Sequence, residues 1–470
     1  MIDVQPAEPL QFVINEVESA SRRRGLISLR GMGAARERKD DFANRLEMLL
    51  TGLAIDEDTR RYADELLDEH WDAQRRTVLR RVRGTDQRTA REVIIGSGYH
   101  AAVYASMRVA CGFPKPLVVD QAEHVGGVFA VTKRPIFFLN STNRPGGPGF
   151  VSDLDAQPNY LPGAPVQPAN VSSAEFQTNA DMAWVIRMAL AQNANVLPGF
   201  EVRGYRGTGV FGSLPYYLEG VSGDRILAAR VIDSRGLGEP RDQGSANGTT
   251  VLTFPQFMKR MDTVWPLRNI RRIAVIGDGD AARVAVEQAL GIGPNANLSM
   301  AVDRVDLIDW YGPTLPTTPG AWRDLEKTRY LAISKFLRDG EIGSRKIRVF
   351  NRKSRAVALP DRALVDGRTY DLAVVATGWR TDVGPSGLLD TEDLRRFEVQ
   401  GLVVSRAYEN RLFRIGPHAA LGFDAREEVD QLNKPTNRIS MSRLGPKTAM
   451  LAAVLPEPDV VGRSGERLAA

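Results

Sequence analysis

Residues 92–101 read EVIIGSGYHA, an apolar run followed by a Gly-x-Gly sequence. The apolar run before Gly96 is typical of a buried parallel strand. The Gly-x-Gly turn that follows lets backbone N–H groups approach a phosphate at the start of a helix. Ala101 provides a third small position, where a helix packs closely on a strand. The pattern therefore predicts a strand, a tight turn and a helix.

A second strand is predicted at residues 117–120. It ends in Asp120, 24 residues after Gly96, close to the ~20-residue spacing of a carboxylate that accepts ribose hydroxyls. The paired glycines Gly126 and Gly127 follow it. Together these features predict a βαβ unit that binds a dinucleotide. The alternative is a glycine turn with a purely structural role.

Length and composition are those of a globular protein. The chain has 470 residues, 43% hydrophobic and 25% charged, enough for two or three domains. The N-terminus lacks the basic and apolar regions of a signal peptide, and the chain has no apolar run of about 18 residues. We therefore expect a cytoplasmic protein without a membrane segment.

Few residues of this chain can relay electrons or bind a metal. The chain has one cysteine, Cys111, and four histidines. An intramolecular disulfide and a redox-active cysteine pair are therefore excluded, and no metal centre is expected. The net charge of +5 is too small to indicate nucleic acid binding.

Residues 272–282 read RIAVIGDGDAA and predict a second strand, Gly-x-Gly turn and helix. Asp278 and Asp280 place two acids in this turn, where they would repel a pyrophosphate if they pointed at it. A working dinucleotide site and a degenerate one both remain open.

Helices are predicted at two further places. Residues 1–90 are expected to form a helical extension, because apolar residues between Phe42 and Trp71 recur at helical spacing. This extension is expected to pack on the core or on a second subunit, and a homodimer is one interpretation. Ser172 and Glu175 predict a capping box that opens a helix ending near Asn193.

Two Gly-x-Gly units, the second lying between strand-to-glycine turns at 230–240 and 370–379, resemble the flavoproteins with two dinucleotide-binding domains. This superfamily contains flavin-containing monooxygenases and pyridine-nucleotide:flavin reductases. The resemblance covers residues 90–455 and implies an α/β fold with two Rossmann-like domains, the second inserted in the first, preceded by the N-terminal helical extension. The expected ranges are 1–90 for the extension, 91–250 and 371–455 for an FAD-binding domain, 251–370 for an NAD(P)-binding-like domain and 456–470 for a C-terminal tail.

The resemblance implies FAD at the first unit and NAD(P)H at the second. It assigns cofactor binding to the glycine turns and the loops around them, namely Gly96, Ser97, Gly98, Tyr99, His100, Asp120, Gln121, Gly126, Gly127, Val128, Phe129, Asn140, Val202, Gly236, Gly277, Gly279, Asp280, Ala281, Thr377, Gly378, Gly416 and Pro417. Asn143, Arg144 and His418 are the catalytic candidates. The first two lie in an irregular segment that would reach the isoalloxazine ring, and the third follows the C-terminal glycine turn. A surface turn and an ordinary loop histidine are the respective alternatives.

The leading interpretation is an FAD-dependent oxidoreductase that uses NAD(P)H and O2 to oxygenate a small molecule, in specialised metabolism. Residues 252–258 lack the aromatic, glycine and histidine pattern that precedes the second turn in the monooxygenases. A flavin oxidase, dehydrogenase or reductase that does not oxygenate its substrate is therefore the nearest alternative. A flavin-bearing scaffold with a vestigial nicotinamide site is an alternative of another class.

Overall fold

The computed structural model describes residues 64–65, 67–68, 71–72, 88–132, 134–139, 161, 164, 177–207, 216–236, 240, 246–263, 270–277, 279–291, 302–308, 341–342, 345–350, 352–378, 395–399, 402–407, 412–417 and 441–458.

Most of the described strands belong to two sheets. The first six strands in chain order are β1 (Arg88–Ile95), β2 (Leu117–Val119), β3 (Asn195–Leu197), β4 (Val202–Gly207), β5 (Tyr216–Gly220) and β6 (Arg225–Asp233). The next nine are β7 (Val251–Thr253), β8 (Arg272–Ile276), β9 (Arg304–Ile308), β10 (Glu341–Ile342), β11 (Arg345–Phe350), β12 (Ala356–Ala358), β13 (Ala363–Val365), β14 (Arg368–Tyr370) and β15 (Leu372–Val375). The last three are β16 (Arg395–Val399), β17 (Leu402–Ala407) and β18 (Leu412–Arg414).

The first sheet has nine strands and a parallel centre. Its order is β16-β17-β18-β6-β1-β2-β3, and β4 and β5 extend it as an antiparallel hairpin from β6. In β1, the side chains of Val93, Ile94 and Ile95 are at most 2% exposed. Burial on both faces is typical of a central parallel strand, and each such side chain contributes about 1.5–3 kcal/mol to folding.

Helices pack on both sheets. In chain order they are α1 (Tyr99–Ala110), α2 (Asn179–Asn193), α3 (Phe254–Thr263), α4 (Asp280–Leu290) and α5 (Met441–Val454). On one face of the first sheet, Ile94 shares a buried cluster with Trp184 of α2 and Leu451 of α5. On the other face, Val93 and Ile95 pack with apolar residues of β4 and β5. The centre of this sheet is thus a core layer between two others.

The second sheet has six strands in the order β10-β11-β9-β8-β15-β7, and all of them except β10 run parallel. One face packs on α3 and α4, where Phe257 and Val284 share a cluster with Val275. A three-stranded antiparallel sheet, β12 to β14, packs on the other face, where Ala363 joins the cluster that contains Ala274.

The strands of the second sheet lie in the chain between β6 and β16 of the first. The α/β fold with parallel sheets that the sequence predicts is confirmed. None of the helices that the structure describes is both long and apolar enough to cross a bilayer.

One predicted domain boundary is wrong. The range 371–455 was assigned to the first domain, but β15 pairs with β7 and β8 in the second sheet. A buried strand followed by a glycine turn has the same sequence pattern in either sheet, and the pattern does not identify the neighbouring strands.

Part of the predicted N-terminal extension is described. Residues 64–65, 67–68 and 71–72 are helical, whereas β1 already begins at Arg88, inside the range 1–90 predicted as helical. The predicted capping residues Ser172 and Glu175 lie outside the described residues. The helix that follows them, α2, is capped instead by a box formed by Thr178 and Asp181.

Candidate dinucleotide sites

The first Gly-x-Gly turn joins β1 to α1. Gly96 has φ +95°, and a Cβ atom there would lie 2.9 Å from the carbonyl oxygen of Ser234, at the end of β6. Its N–H donates to the carbonyl of Val119 at 2.7 Å. Only glycine fits this conformation without strain, so the turn is fixed against the ends of two neighbouring strands.

The paired glycines approach the same turn from the other side. A Cβ atom on Gly127, which has φ +64°, would lie 2.7 Å from the Cα of Gly98. Gly98 is the N-cap of α1 and provides no side-chain hydrogen bond to the helix. The first-turn N–H groups of a helix have no partner within the helix. This closely approached helix start is therefore suited to a phosphate group.

Asp120 accepts hydrogen bonds from the residues of this turn. Its Oδ2 accepts hydrogen bonds from the N–H and from the hydroxyl of Ser97, both at 2.6 Å, and its Oδ1 accepts from the N–H of Ala122 at 2.7 Å. The Ser97 hydroxyl oxygen in turn accepts from the N–H of Gly126 at 3.2 Å. Desolvation raises the pKa of Asp120, and the hydrogen bonds from Ser97 and Ala122 oppose that rise. The predicted ribose acceptor thus connects the turn to the paired glycines.

His100 packs inside the protein. Its side chain is buried, and its Nδ1 lies 3.1 Å from the hydroxyl of Thr448 in α5. Burial lowers the pKa of His100 to about 3, so the imidazole is neutral at pH 7. A Cβ atom on Gly416 would lie 2.8 Å from the His100 ring. The C-terminal glycine turn, which continues into the half-buried Pro417, therefore lies against the start of α1.

The end of β6 contributes Asp233 and Ser234, which the sequence did not assign to the site, beside Arg235, which is a sequence candidate for an anion or cofactor contact. The Arg235 guanidinium donates to both carboxylate oxygens of Asp233, at 3.0 and 2.9 Å. Burial alone would raise the pKa of Asp233, but Arg235 and Arg414 hold it below its ordinary value. The hydroxyl of Ser234 is buried and has no hydrogen-bond partner among the described residues. The sequence signal for Ser234 was its position directly after a strand, where the motif that this stretch resembles has an alanine.

The second turn repeats the geometry of the first. Gly277 has φ +138°, its N–H donates to the carbonyl of Ile308 at 2.9 Å, and a Cβ atom there would overlap the carbonyl oxygen of Ala376. Gly279 caps α4 without a side-chain hydrogen bond, and the space where its Cβ would lie is open. The first glycine of each turn therefore lies against the backbone that ends a neighbouring parallel strand.

The structure brings most of the predicted binding residues to one of the two turns. Thr377 and Gly378 follow β15 and lie beside Gly277, in the second unit. Val202 is buried near the loop after Asp120, since the N–H of Phe200 donates to the Asp120 carbonyl at 2.7 Å. The remaining residues around the first turn differ in exposure: Val128 and Gln121 are exposed, and Tyr99 and Phe129 are buried.

Several predicted residues cannot be placed. Asn140 and the catalytic candidates Asn143, Arg144 and His418 lie outside the described residues. The backbone of Asp280 begins α4, followed by the half-buried Ala281. The predicted repulsion between acids of the second turn and a pyrophosphate therefore stays a prediction.

No protein-family model and no curated protein matches the chain. Among solved structures, it is similar to an ornithine N-hydroxylase from Kutzneria sp. 744, at 14% identity over 76% of this chain and 99% of that chain, with a TM-score of 0.49. It is similar to a cadaverine monooxygenase from Erwinia amylovora, at 14% identity over 81% and 98% of the two chains, with a TM-score of 0.47. It is also similar to thioredoxin reductase from T. acidophilum, at 16% identity over 78% and 98%, with a TM-score of 0.44. The function proposed below rests on the chain's own residues.

Proposed function

We propose that the chain is an FAD-dependent oxidoreductase that uses NAD(P)H, with FAD at the first turn and the nicotinamide nucleotide at the second. The observation that carries this proposal is the repeated geometry of the two turns. In each, a strand leads into a glycine turn that lies against a neighbouring strand end, and a helix without a side-chain cap begins there. Two such sites in one chain suit two dinucleotides.

The residues around the first turn fit FAD. The helix start at Gly98 is suited to the pyrophosphate, because a side chain at that point would lie where the phosphate must approach. Asp120 retains acceptor capacity at Oδ1, which the ribose hydroxyls can use. Ser234 lies beside the Gly96 turn, and its buried hydroxyl, which has no hydrogen-bond partner among the described residues, would gain one from a bound diphosphate.

A bound flavin supplies the redox chemistry, since it accepts a hydride from a nicotinamide and passes electrons to O2 or another acceptor. The chain's own residues position the two nucleotides and exclude water. His100 contributes a neutral imidazole at the start of α1, and its Nδ1 contacts the hydroxyl of Thr448.

We further propose a monooxygenase acting on a small molecule. Cys111 is the chain's single cysteine, and it lies at the C-terminal end of α1, exposed to solvent. The glycine turn is at the other end of this helix, about 18 Å away at 1.5 Å per residue. A relay of electrons through an intramolecular cysteine pair is excluded, and this favours O2 or a small molecule as the electron acceptor.

The test is reconstitution with FAD, followed by anaerobic addition of NADH or NADPH and then of 18O2 with a panel of small amines, thioethers and ketones. A bound, reducible flavin and one labelled oxygen atom in a product support the proposal. Reduction that yields only H2O2 or a reduced artificial acceptor indicates the oxidase or reductase alternative. A bound flavin that neither nucleotide reduces indicates a scaffold with a vestigial second site.

A further inference from the structure

Arg187 of α2 is fully buried and lies between the N-terminal helical residues and the loop that follows Asp120. Its Nε donates to Oδ1 of Asp64 at 2.6 Å, and its Nη2 donates to Oδ1 of Asp68 at 2.8 Å and to the backbone carbonyl of Asp64 at 3.2 Å. Its Nη1 donates to the carbonyl of Val125 at 3.2 Å. All three guanidinium nitrogens therefore have partners.

His124 completes this cluster. Its Nδ1 lies 3.2 Å from Nη1 of Arg187 and 3.4 Å from Oδ1 of Asp68. The imidazole therefore accepts from the arginine in one tautomer and donates to the carboxylate in the other. In the first tautomer, His124 reaches the N-terminal helical residues through Arg187, and in the second it contacts Asp68 of those residues directly.

The N-terminal helical residues are packed into the core at this point. Leu67 is 4% exposed and Trp71 is 1% exposed, and both share the cluster formed by α1 and α2. The Trp71 ring lies 5.0 Å from the Arg187 guanidinium carbon, within the range of a cation–π contact. Asp64, Asp68 and Trp71 thus all contact the guanidinium of Arg187.

The loop on the other side leads directly to the first turn. Val125, whose carbonyl Arg187 binds, is followed by Gly126 and Gly127. Gly126 donates to the Ser97 hydroxyl, and Gly127 approaches Gly98. Only one residue separates the carbonyl held by Arg187 from the glycine that lies against the helix start.

We propose that Arg187 is a positioning residue for the first dinucleotide. Together with the helical residues Asp64, Asp68 and Trp71, it holds loop 124–127 against the turn where the diphosphate binds. The inference rests on the proposed function and extends it, because it makes the N-terminal helical residues part of the flavin site. Lysine cannot replace Arg187, since one ammonium group cannot reach Asp64, Asp68 and Val125 together. Removing the contact to Val125 takes away the hydrogen bond to the residue immediately before the paired glycines.

The experiment compares Arg187→Lys with Arg108→Lys in the full-length chain. Arg108 is a matched control because it is also a buried arginine of a core helix, 1% exposed. Its partners are Glu92 and the carbonyls of Ala452 and Leu455, away from loop 124–127. The measurements are the FAD dissociation constant, by fluorescence titration well below the melting temperature, and the melting temperature of each apoprotein. Asp68→Asn, which keeps the side chain's shape, is the second variant.

We expect Arg187→Lys to raise the FAD dissociation constant by about tenfold or more, and Asp68→Asn to raise it by a smaller factor. Arg108→Lys is expected to lower the melting temperature and to leave the dissociation constant within about twofold. Wild-type FAD affinity in both Arg187→Lys and Asp68→Asn, or the same loss of affinity in Arg108→Lys, would overturn the inference. A wild-type chain that binds no FAD would instead overturn the proposed function and this inference with it.

Discussion

At the scale of single residues, the two sites depend on glycines whose missing side chains make room for backbone. Gly127 and Gly277 both have positive φ, and a Cβ atom at either would collide with backbone of a neighbouring segment. Gly223 has φ +83° as well, but the space around its Cβ position is open. An alanine substitution therefore adds a steric clash to backbone strain at Gly127 and Gly277, but adds backbone strain alone at Gly223.

Gly127→Ala is expected to raise the FAD dissociation constant by about tenfold or more, because the added Cβ pushes the loop away from Gly98. Gly223→Ala is the control and is expected to cost about 1–2 kcal/mol of stability from left-handed backbone strain, with FAD affinity unchanged. Fluorescence titration with FAD and urea unfolding measure the two effects. Equal FAD affinity in both variants would show that the approach of Gly127 to Gly98 does not matter for binding.

Site residues could be predicted from the sequence where a short stretch of chain contains the whole pattern. A strand, a glycine turn and an acid at the end of the next strand are encoded within about 30 residues, the length of a βαβ unit. Arg187 was missed because its partners are distant in the chain, whereas Asp233 pairs with Arg235 two residues later and Ser234 has no hydrogen-bond partner among the described residues. The partners of Arg187, for example, lie at 64 and 68 on one side and at 124 and 125 on the other.

At the scale of elements, a buried ionic cluster joins α1, β1 and β6. Glu92 of β1 accepts hydrogen bonds from the Tyr104 hydroxyl at 2.8 Å, from Arg230 at 2.9 Å and from Arg108 at 3.2 Å. Arg108 also donates to carbonyl groups at the end of α5. Burial raises the pKa of Tyr104 well above its ordinary value, so its hydroxyl remains a donor.

Glu92→Gln is expected to lower the free energy of unfolding by about 3–5 kcal/mol, because it leaves two buried arginines without a counter-charge. Urea unfolding at pH 7 measures this loss. Asp361→Asn, which breaks an exposed contact with the neighbouring Arg362, is the control and is expected to change stability little. A loss no larger than that of the control would contradict the buried ionic role of Glu92.

The docking of the N-terminal helical residues is expected to weaken in acid. Desolvation alone would raise the pKa of Asp68, but the hydrogen bond with His124 and the charge of Arg187 hold that pKa at about 2, below the ordinary 3.8. A lowered folded-state pKa means that the stabilisation is complete above pH ~4 and is lost as the pH falls toward ~2.

Urea unfolding followed by tryptophan fluorescence at a series of pH values measures this effect. The stability of Asp68→Asn is expected to fall less between pH ~5 and ~2 than that of the wild type. The exposed Asp361→Asn variant again serves as the control, with a wild-type slope. The same slope in Asp68→Asn would contradict the pairing of Asp68 with Arg187 and His124.

The end of a helix could be predicted from the sequence, but the sheet to which a strand belongs could not. The predicted end of α2 at Asn193 agrees with the structure, because a polar residue after an apolar run marks it locally. β15 was assigned to the first domain because the sheet to which a strand belongs depends on its neighbours, which the local pattern does not contain. Its neighbours β7 and β8 precede it by about 100 residues.

At the scale of the whole molecule, one segment connects the two units. Asn179 at the start of α2 accepts from the N–H groups of Ile136 and Phe137, at 2.7 and 3.0 Å, and its amide donates to the carbonyl of Phe129 at 3.1 Å. Ile136 is buried in the core of the second unit, and its carbonyl accepts from Gln288 of α4. The chain that leaves the paired glycines therefore contacts the helix that begins at the second turn.

Anaerobic reduction of the FAD-loaded protein tests whether the two dinucleotide sites of this chain act in sequence. The measurement follows the visible flavin absorbance after mixing with NADH or NADPH in the wild type, in Gly277→Ala and in Gly367→Ala. Gly367 has φ +73° in open space and is the control for backbone strain in the second unit.

We expect one of the two nucleotides to bleach the flavin absorbance of the wild type and of Gly367→Ala. We expect Gly277→Ala to keep its FAD and to be bleached by dithionite, but to be reduced by the nucleotide at least about tenfold more slowly, because the added Cβ displaces the second turn from Ala376. Reduction of Gly277→Ala at the wild-type rate, or a wild-type chain that takes up no FAD, would contradict the transfer of electrons from the second site to the first.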